Sequence, residues 1–352
     1  MTKIKVLLTG GTIGSKVYKS IADITDNAPN RLFNSFRASR PDSAVEFDSE
    51  TLFNILSENI TLNHWQELYC RINEIIDADY DGIIITHGTD TLAYTASFLA
   101  FMFADVRIPV LLVSSNYPLS SGKTNGYENF NTAVDFISTV KLRGVYVPFF
   151  ANEKMTIHLG SKLLQAQSSS SYFKSFGDVW FGEFSDGIFQ WNNNPHNPTV
   201  EEIQSSSNIS LPPLRELKNI FCIAPYPGLD YSIISFAENP VAVLHNLYHS
   251  GTACTASLDE KTSVLSFAKK CIEKGIDFYA SPFDSCYTLY HTSKSMNDIG
   301  IKFIKNMSFE SAYAKLVIAY SIFENNDERQ DFIENNIAFE QLLPCFEKRK
   351  SN

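Results

Sequence analysis

Gly82-Ile83-Ile84-Ile85-Thr86-His87-Gly88-Thr89-Asp90-Thr91 opens on a short, unalternating β-branched run and ends in a glycine turn with two hydroxyls and a carboxylate. Such a run suits a parallel strand buried on both faces, because a half-exposed strand would alternate polar and apolar residues. Working outward, residues 4–8, 110–114 and 144–149 have the same character. Between them, residues 62–76, 91–103 and 128–140 repeat apolar positions at three and four, which predicts crossover helices. Strands alternating with helices define an α/β chain. Around 191–214 the composition turns to Asn, Pro, Ser and Glu, bounded by Asn192-Asn193-Asn194-Pro195 and Pro212-Pro213, which reads as a linker. Alternation then resumes, with strands expected at 220–224, 241–244 and 276–280 and helices at 262–274 and 308–323. The expected division is a domain over 1–190, a linker over 191–216 and a smaller α/β domain over 217–352, the last stretch being helix that ends in a frayed tail.

Composition narrows the function classes. The chain has 352 residues, 44% of them hydrophobic, with 27 Phe and 16 Tyr against 16 Gly, which excludes a disordered or collagen-like polymer. The net charge of −10, from 39 acidic and 29 basic side chains, opposes unassisted binding to a polyanion, so no nucleic-acid partner is expected. The most apolar stretch, residues 91–106, falls short of the roughly 20 residues that span a bilayer, and no membrane partner is expected. Residues 6–8 are too short an apolar run for a secretory signal. Six cysteines without a CxxC pair fit reduced thiols and a cytoplasmic location.

Two strand-to-loop junctions concentrate polar chemistry, Thr9-Gly10-Gly11-Thr12-Ile13-Gly14 after the first strand and the His87–Thr91 turn quoted above. Ligands of open parallel sheets bind beyond the carboxyl ends of the strands. Glycines there let backbone amides approach an anion. On residue type alone, Thr12 and Thr89 also fit turn hydroxyls, and Asp90 fits an N-cap for a helix beginning at Thr91. Two other patterns fail on spacing. The first turn lacks GxGxxG, and Gly122-Lys123-Thr124 has Tyr117 where a phosphate-binding loop needs its first glycine. His245 and His249 lie four apart, but His245 closes a strand-like run without a carboxylate or cysteine set, so no metal is expected.

The two junctions together, in this order and at this separation, resemble the paired signature motifs of the bacterial-type L-asparaginase/glutaminase family. Leu56-Ser57-Glu58-Asn59-Ile60-Thr61, running to Trp65, resembles the family's substrate loop. Gly160-Ser161-Lys162, followed by Phe173, Ser175 and Gly177, resembles the segment that supplies its catalytic lysine. The likeness is strong over 1–110, looser to about 190 and architectural beyond.

The resemblance implies a larger N-terminal domain with a mostly parallel, flavodoxin-like sheet and a smaller C-terminal α/β domain. It implies hydrolysis of L-asparagine to L-aspartate and ammonia, with no cofactor. Thr12 would be the nucleophile, with Thr89, Lys162 and Asp90 as a hydroxyl, base and carboxylate set and Tyr18 as the lid tyrosine. Gly11, Ser57, Glu58, Gly88, Thr89 and Asp90 would hold the substrate, and the protein would form a homodimer or homotetramer. In such oligomers the loop 249–253 would face a neighbouring protomer's site.

The chain departs from the family pattern in three places. Tyr18 stands close to Thr12 for a lid residue, Asn116-Tyr117-Pro118 replaces Met-Arg-Pro, and Asn125-Gly126 replaces Asp-Gly. These changes bear on substrate preference and leave two alternatives. One is an ammonia-producing component of an amidotransferase, an expectation disfavoured because no extra N-terminal domain precedes Lys3. The other is a non-catalytic sensor of an amino-acid amide.

Overall fold

The structure is a computed structural model that describes residues 1–18, 21–24, 28–168, 170–205, 211–256, 260–284 and 290–343; for residues 15–18, 21–24 and 28 it describes backbone alone. The chain divides into two units, one of Met1–Leu211 with Ile337–Phe339 and one of Pro212–Asn336 with the residues from Glu340 on.

The first unit is built on β1 (Thr2–Gly10), the hairpin of β2 (Ser15–Tyr18) and β3 (Ile21–Ile24), α1 (Ala28–Ser39), β4 (Val45–Ile55), α2 (Leu62–Ile75), β5 (Gly82–Thr86), α3 (Leu92–Met102), β6 (Pro109–Val113), α4 (Gly126–Asp135), β7 (Gly144–Ala151), β8 (Lys154–Leu159), β9 (Gly182–Ser185), β10 (Ile188–Trp191) and α5 (Val200–Ser205). Its main sheet has the order β10-β9-β8-β7-β6-β5-β1-β4. From β7 to β4 the pairing is parallel, and β8, β9 and β10 extend it antiparallel. The parallel core therefore has the flavodoxin-like order, in which the chain reverses direction between β1 and β5 and opens a crevice at their carboxyl ends.

The all-apolar runs are the central strands. β5 and β6 are buried at every residue. β4, at the sheet edge, alternates Glu46, Asp48 and Glu50 with Phe47 and is only partly buried. The one charge buried inside β1, Lys5, meets that edge: its ammonium lies 3.2 Å from Asp48 and 3.4 Å from Glu50, and Arg71 of α2 clamps Glu50 from the far side.

Aromatic stacking fixes the helix layers. On one face α1 and α4 bring Phe33 and Phe130 against Phe47 of β4. On the other, Trp65 of α2 stacks on Phe98 of α3 at 4.7 Å. α3 is buried nearly all round, as its uniformly apolar sequence requires.

The stretch expected as a linker begins with the last residue of β10 and contains α5, whose Ile203 joins the core of this unit. The change of unit falls at Leu211/Pro212.

The second unit has a parallel four-stranded sheet in the order β11 (Ile220–Ile223), β12 (Ala242–Asn246), β13 (Asp277–Phe283) and β14 (Lys302–Lys305). Around it lie α6 (Val264–Glu273), α7 (His291–Asp298), α8 (Phe309–Ile322) and α9 (Asn326–Glu334). Its core gathers Val243, Phe267, Phe278 and Met296. Lys315 of α8 and Glu340 form an ion pair with both side chains fully buried, and the same ammonium donates to the Asn335 carbonyl. No helix among the described residues is long and apolar enough to cross a membrane.

Candidate active site

The two glycine turns leave adjacent strands at the reversal point of the sheet and touch. Gly10 and Gly11 take φ of +98° and +80°, a region open to glycine, and the Gly11 amide donates to the Ile55 carbonyl at 2.8 Å. A Cβ on Gly11 would stand 2.3 Å from the Gly88 nitrogen, and one on Gly88 would stand 2.4 Å from Ser57 Oγ. Two turns far apart in sequence thus meet backbone to backbone, and the Ser57 side chain from a third segment closes on Gly88. Below them, the Thr9 amide donates to Thr86 Oγ1 at 3.2 Å and the Thr9 hydroxyl donates to the Thr86 carbonyl, cross-linking the two strand ends.

Ser57 organises the third segment. It is buried in the turn Ser57–Asn59 that follows β4, and its Oγ accepts from the Asp90 amide at 3.2 Å and donates to the Asp90 carboxylate at 3.4 Å. Its carbonyl accepts from the Thr91 hydroxyl at 2.8 Å. The capping reading of Asp90 fails here. α3 starts at Leu92 with Thr91 at the cap position, so Asp90 lies one residue too early, and its exposed carboxylate faces the Ser57 hydroxyl. Glu58 is exposed beside Ser57. Thr12 and Thr89 are both half-buried, Thr12 opening the single turn Thr12–Gly14 and Thr89 lying between Gly88 and Asp90. The structure thus brings together Gly11, Ser57, Gly88 and Asp90, and Thr12 and Thr89 are covalent neighbours of the two glycines.

Lys162 closes the turn Gly160–Lys162 after β8. Its side chain is buried, and its ammonium donates to the His196 carbonyl. The turn packs on α3: Ser97 Oγ donates to the Gly160 carbonyl at 3.3 Å, and a Cβ on Gly160 would stand 2.9 Å from the Ala96 carbonyl oxygen. Tyr18 is the last residue of β2, paired with Ile21 across the hairpin that follows Thr12; its side chain lies outside the described residues. Beyond β6, Asn125 Oδ1 accepts from the Asn116 amide at 2.9 Å and Asn125 Nδ2 donates to the Phe150 carbonyl, so two of the residues that depart from the family pattern share one neutral network.

Residue-type reasoning gives His87 no role of its own. The structure places its ring fully buried beneath the second turn, with Nδ1 2.7 Å from the Gly88 carbonyl and Nε2 2.9 Å from Thr95 Oγ1. Trp65 Nε1 donates to the same Thr95 hydroxyl at 3.0 Å. Burial lowers the His87 pKa to about 4, so the ring is neutral through the physiological range.

No cluster of three or more His, Cys, Asp or Glu that could hold a metal occurs among the described residues. His245 is in β12 and His249 in the turn beyond it, so they do not share a helix face, and His245 Nε2 is 2.7 Å from the Tyr231 hydroxyl. Gly122-Lys123-Thr124 is a polar loop, Thr124 Oγ1 donating to the Tyr117 carbonyl at 3.0 Å. A separate cleft of about 340 Å³ lies along β7 to β9, lined by His158, Phe173 and Trp180 among others, with the Lys154–Glu183 pair at 3.7 Å on it.

The Asparaginase, N-terminal family model matches residues 3–197. L-asparaginase I from Vibrio cholerae superposes with a TM-score of 0.78 at 24% identity, covering 97% of this chain and 99% of that one. The thermostable L-asparaginase from Thermococcus kodakarensis gives 0.76 at 23%, covering 97% and 100%. At these identities the likeness establishes the two-part fold. Among curated proteins, a component of the glutamyl-tRNA(Gln) amidotransferase from Methanococcus maripaludis is 28% identical over 261 residues, 67% of this chain and 56% of that protein's length. This chain therefore spans little more than half of that relative. A family model that spans more than half of the chain, and both glycine turns, carries the assignment: the chain belongs to the asparaginase family of hydrolases that act on amides.

Proposed function

We propose that the protein hydrolyses L-asparagine to L-aspartate and ammonia through an acyl-threonine intermediate on Thr12. The observation that carries this reading is the meeting of the Gly11 and Gly88 turns at the sheet's reversal point, with Ser57 bonded to Asp90 beside them. A free amino acid presents both an ammonium and a carboxylate. Asp90 and Glu58 offer anionic partners for the first; the Ser57 hydroxyl, on turning from Asp90 as the substrate ammonium takes that carboxylate, and glycine-turn amides offer donors for the second.

In this reading Thr12 Oγ attacks the side-chain amide carbon, losing its proton to the Thr89, Lys162 and Asp90 set, while turn amides take the oxyanion. The C–N bond breaks, the proton passes to the leaving nitrogen, and ammonia departs. Water then attacks the ester, the C–O bond to Thr12 breaks, and aspartate leaves with the threonine hydroxyl restored. Lys162 donates to the His196 carbonyl, and as base it would be a neutral amine that keeps an N–H on that carbonyl while its lone pair takes the threonine proton. Tyr18 as lid and a homodimer or homotetramer follow from the family. The four described cysteines are free, which supports a reducing, cytoplasmic location.

The amidotransferase relatives support a second reading, in which the same chemistry supplies ammonia to a partner enzyme. An ammonia-release assay of the isolated protein against L-asparagine, L-glutamine, their D-isomers and asparaginyl peptides separates the two. The leading reading predicts the highest kcat/KM for L-asparagine without a partner. Turnover confined to glutamine, or dependent on a partner, would favour the second, and absence of ammonia from every amide would overturn both.

A further inference from the structure

The hydrogen bonds around His87 have a fixed direction. The Gly88 carbonyl can only accept, so His87 Nδ1, 2.7 Å away, carries the proton. Nε2 is then an acceptor and takes the Thr95 hydroxyl proton at 2.9 Å. That hydroxyl oxygen in turn accepts from the Trp65 indole, which can only donate, at 3.0 Å. The chain Trp65 to Thr95 to His87 to Gly88 runs one way through buried side chains, and Trp65 is held by its stack on Phe98. The histidine backbone is anchored as well, since the His87 amide donates to the Val113 carbonyl at 2.9 Å.

A trans peptide points its C=O and the following N–H in opposite directions. With the Gly88 carbonyl drawn inward onto a fully buried ring, the Thr89 N–H faces outward, on the side of the crevice. Gly88 is free to rotate on steric grounds, so without this bond nothing in its own side chain would hold that peptide plane. We infer that His87 is a positioning residue that locks the Gly88–Thr89 peptide so that its N–H is presented to the substrate carbonyl oxygen as negative charge develops there. Thr95 and Trp65 hold the histidine in the required tautomer, much as an outer partner fixes a catalytic imidazole. This rests on the proposed amide hydrolysis for the identity of the acceptor; the locked peptide itself does not.

The experiment uses the full chain with His87→Asn, His87→Gln and Thr95→Val. Asparagine places its amide nitrogen near Nδ1 and keeps a donor for Gly88; glutamine reaches the Nε2 position and keeps only the Thr95 contact. The expected result is an ordered series on L-asparagine. His87→Gln lowers kcat by about 10²-fold with KM changed less than about threefold, and His87→Asn recovers to within about tenfold of the parent. Thr95→Val, which removes the partner that fixes the tautomer, falls between them. Thermal melts of the variants report folding, and ¹⁵N spectra of the parent report the tautomer and the Thr89 amide without substrate. An undiminished kcat in His87→Gln, equal losses in folded His87→Gln and His87→Asn, or an Nε2-protonated ring would overturn the inference. If the parent released no ammonia, the functional reading would fail separately. The lock would then stand if the Thr89 amide shifted in His87→Gln and not in His87→Asn, and fall if it shifted in neither.

Discussion

Ser57 both accepts the Asp90 amide at 3.2 Å and donates to the Asp90 carboxylate at 3.4 Å, so one hydroxyl ties the loop after β4 to the turn after β5. Replacing it with alanine leaves the Asp90 amide unpaired and the carboxylate free to turn. Ser57→Ala is expected to lower kcat/KM for L-asparagine by about 10- to 100-fold, mainly through KM, because the pair orients substrate charge and does not react. Steady-state kinetics against Asp90→Asn, which should lose more, provides the check.

Gly11 and Gly88 answer to a steric argument. An added Cβ on Gly11 meets backbone at 2.3 Å in a residue whose φ is +80°, and backbone cannot swing aside as a side chain can. Gly11→Ala is expected to abolish measurable turnover and cost about 2 kcal/mol or more of stability. Gly88→Ala meets Ser57 at Oγ and at Cβ, 2.4 and 2.7 Å away, but it adds no side chain at positive φ and no clash below 3.0 Å with backbone, so it should cost less stability while still lowering activity. Urea denaturation beside the ammonia assay ranks the two.

Acid should weaken the fold in a defined window. Burial lowers the pKa of His87, His158 and His245 to about 4 from an ordinary 6.5. Above pH 6.5 both folded and unfolded states carry neutral rings. As pH falls from 6.5 towards 4, only the unfolded state takes up the protons, and each histidine costs about 3 kcal/mol by linkage. Asp48 and Glu50 act lower down. The hydrogen bonds from Tyr80 and Arg71 hold their carboxyls below the ordinary 3.8 and 4.5, so that stabilisation is complete above those values and is lost below them as pH falls through the lowered ones. Urea midpoints at pH 8, 6.5, 5.5 and 4.5 should fall progressively below 6.5; a flat profile from 8 to 4.5 would contradict the burial argument.

The Lys315–Glu340 pair is wholly buried, so removing one partner strands the other's charge. Lys315→Met is expected to destabilise the second unit by about 3–5 kcal/mol. Lys315→Met combined with Glu340→Leu should recover a substantial part of that loss. A double-mutant cycle by chemical denaturation measures the coupling.

The parallel core and both glycine turns are legible in the sequence because they are unusual locally: β5 and β6 are buried at every residue, and Thr86, the one polar residue in them, ends β5 at the turn. The edge strand β4 is not, because Glu46, Asp48 and Glu50 make it resemble surface loop, and the contact with Lys5 shows why Asp48 and Glu50 belong there. The strands β8 to β10 escape a local reading because their partners are set by tertiary pairing, with Phe181 and Phe189 packing beneath them. Thr12, Thr89, Asp90 and Ser57 can be named from two motifs and a loop. His87, Thr95 and Trp65 cannot be linked, since a hydrogen-bond chain between residues 65 and 95 leaves no spacing signal.

The nucleophile is the central claim, and Thr12→Ala tests it most directly. The account predicts that ammonia release from L-asparagine falls by at least about 10³-fold while the thermal midpoint stays within a few degrees of the parent, since Thr12 is half-buried in a turn and outside the core. Ammonia release at the parent rate from a folded Thr12→Ala protein would contradict it.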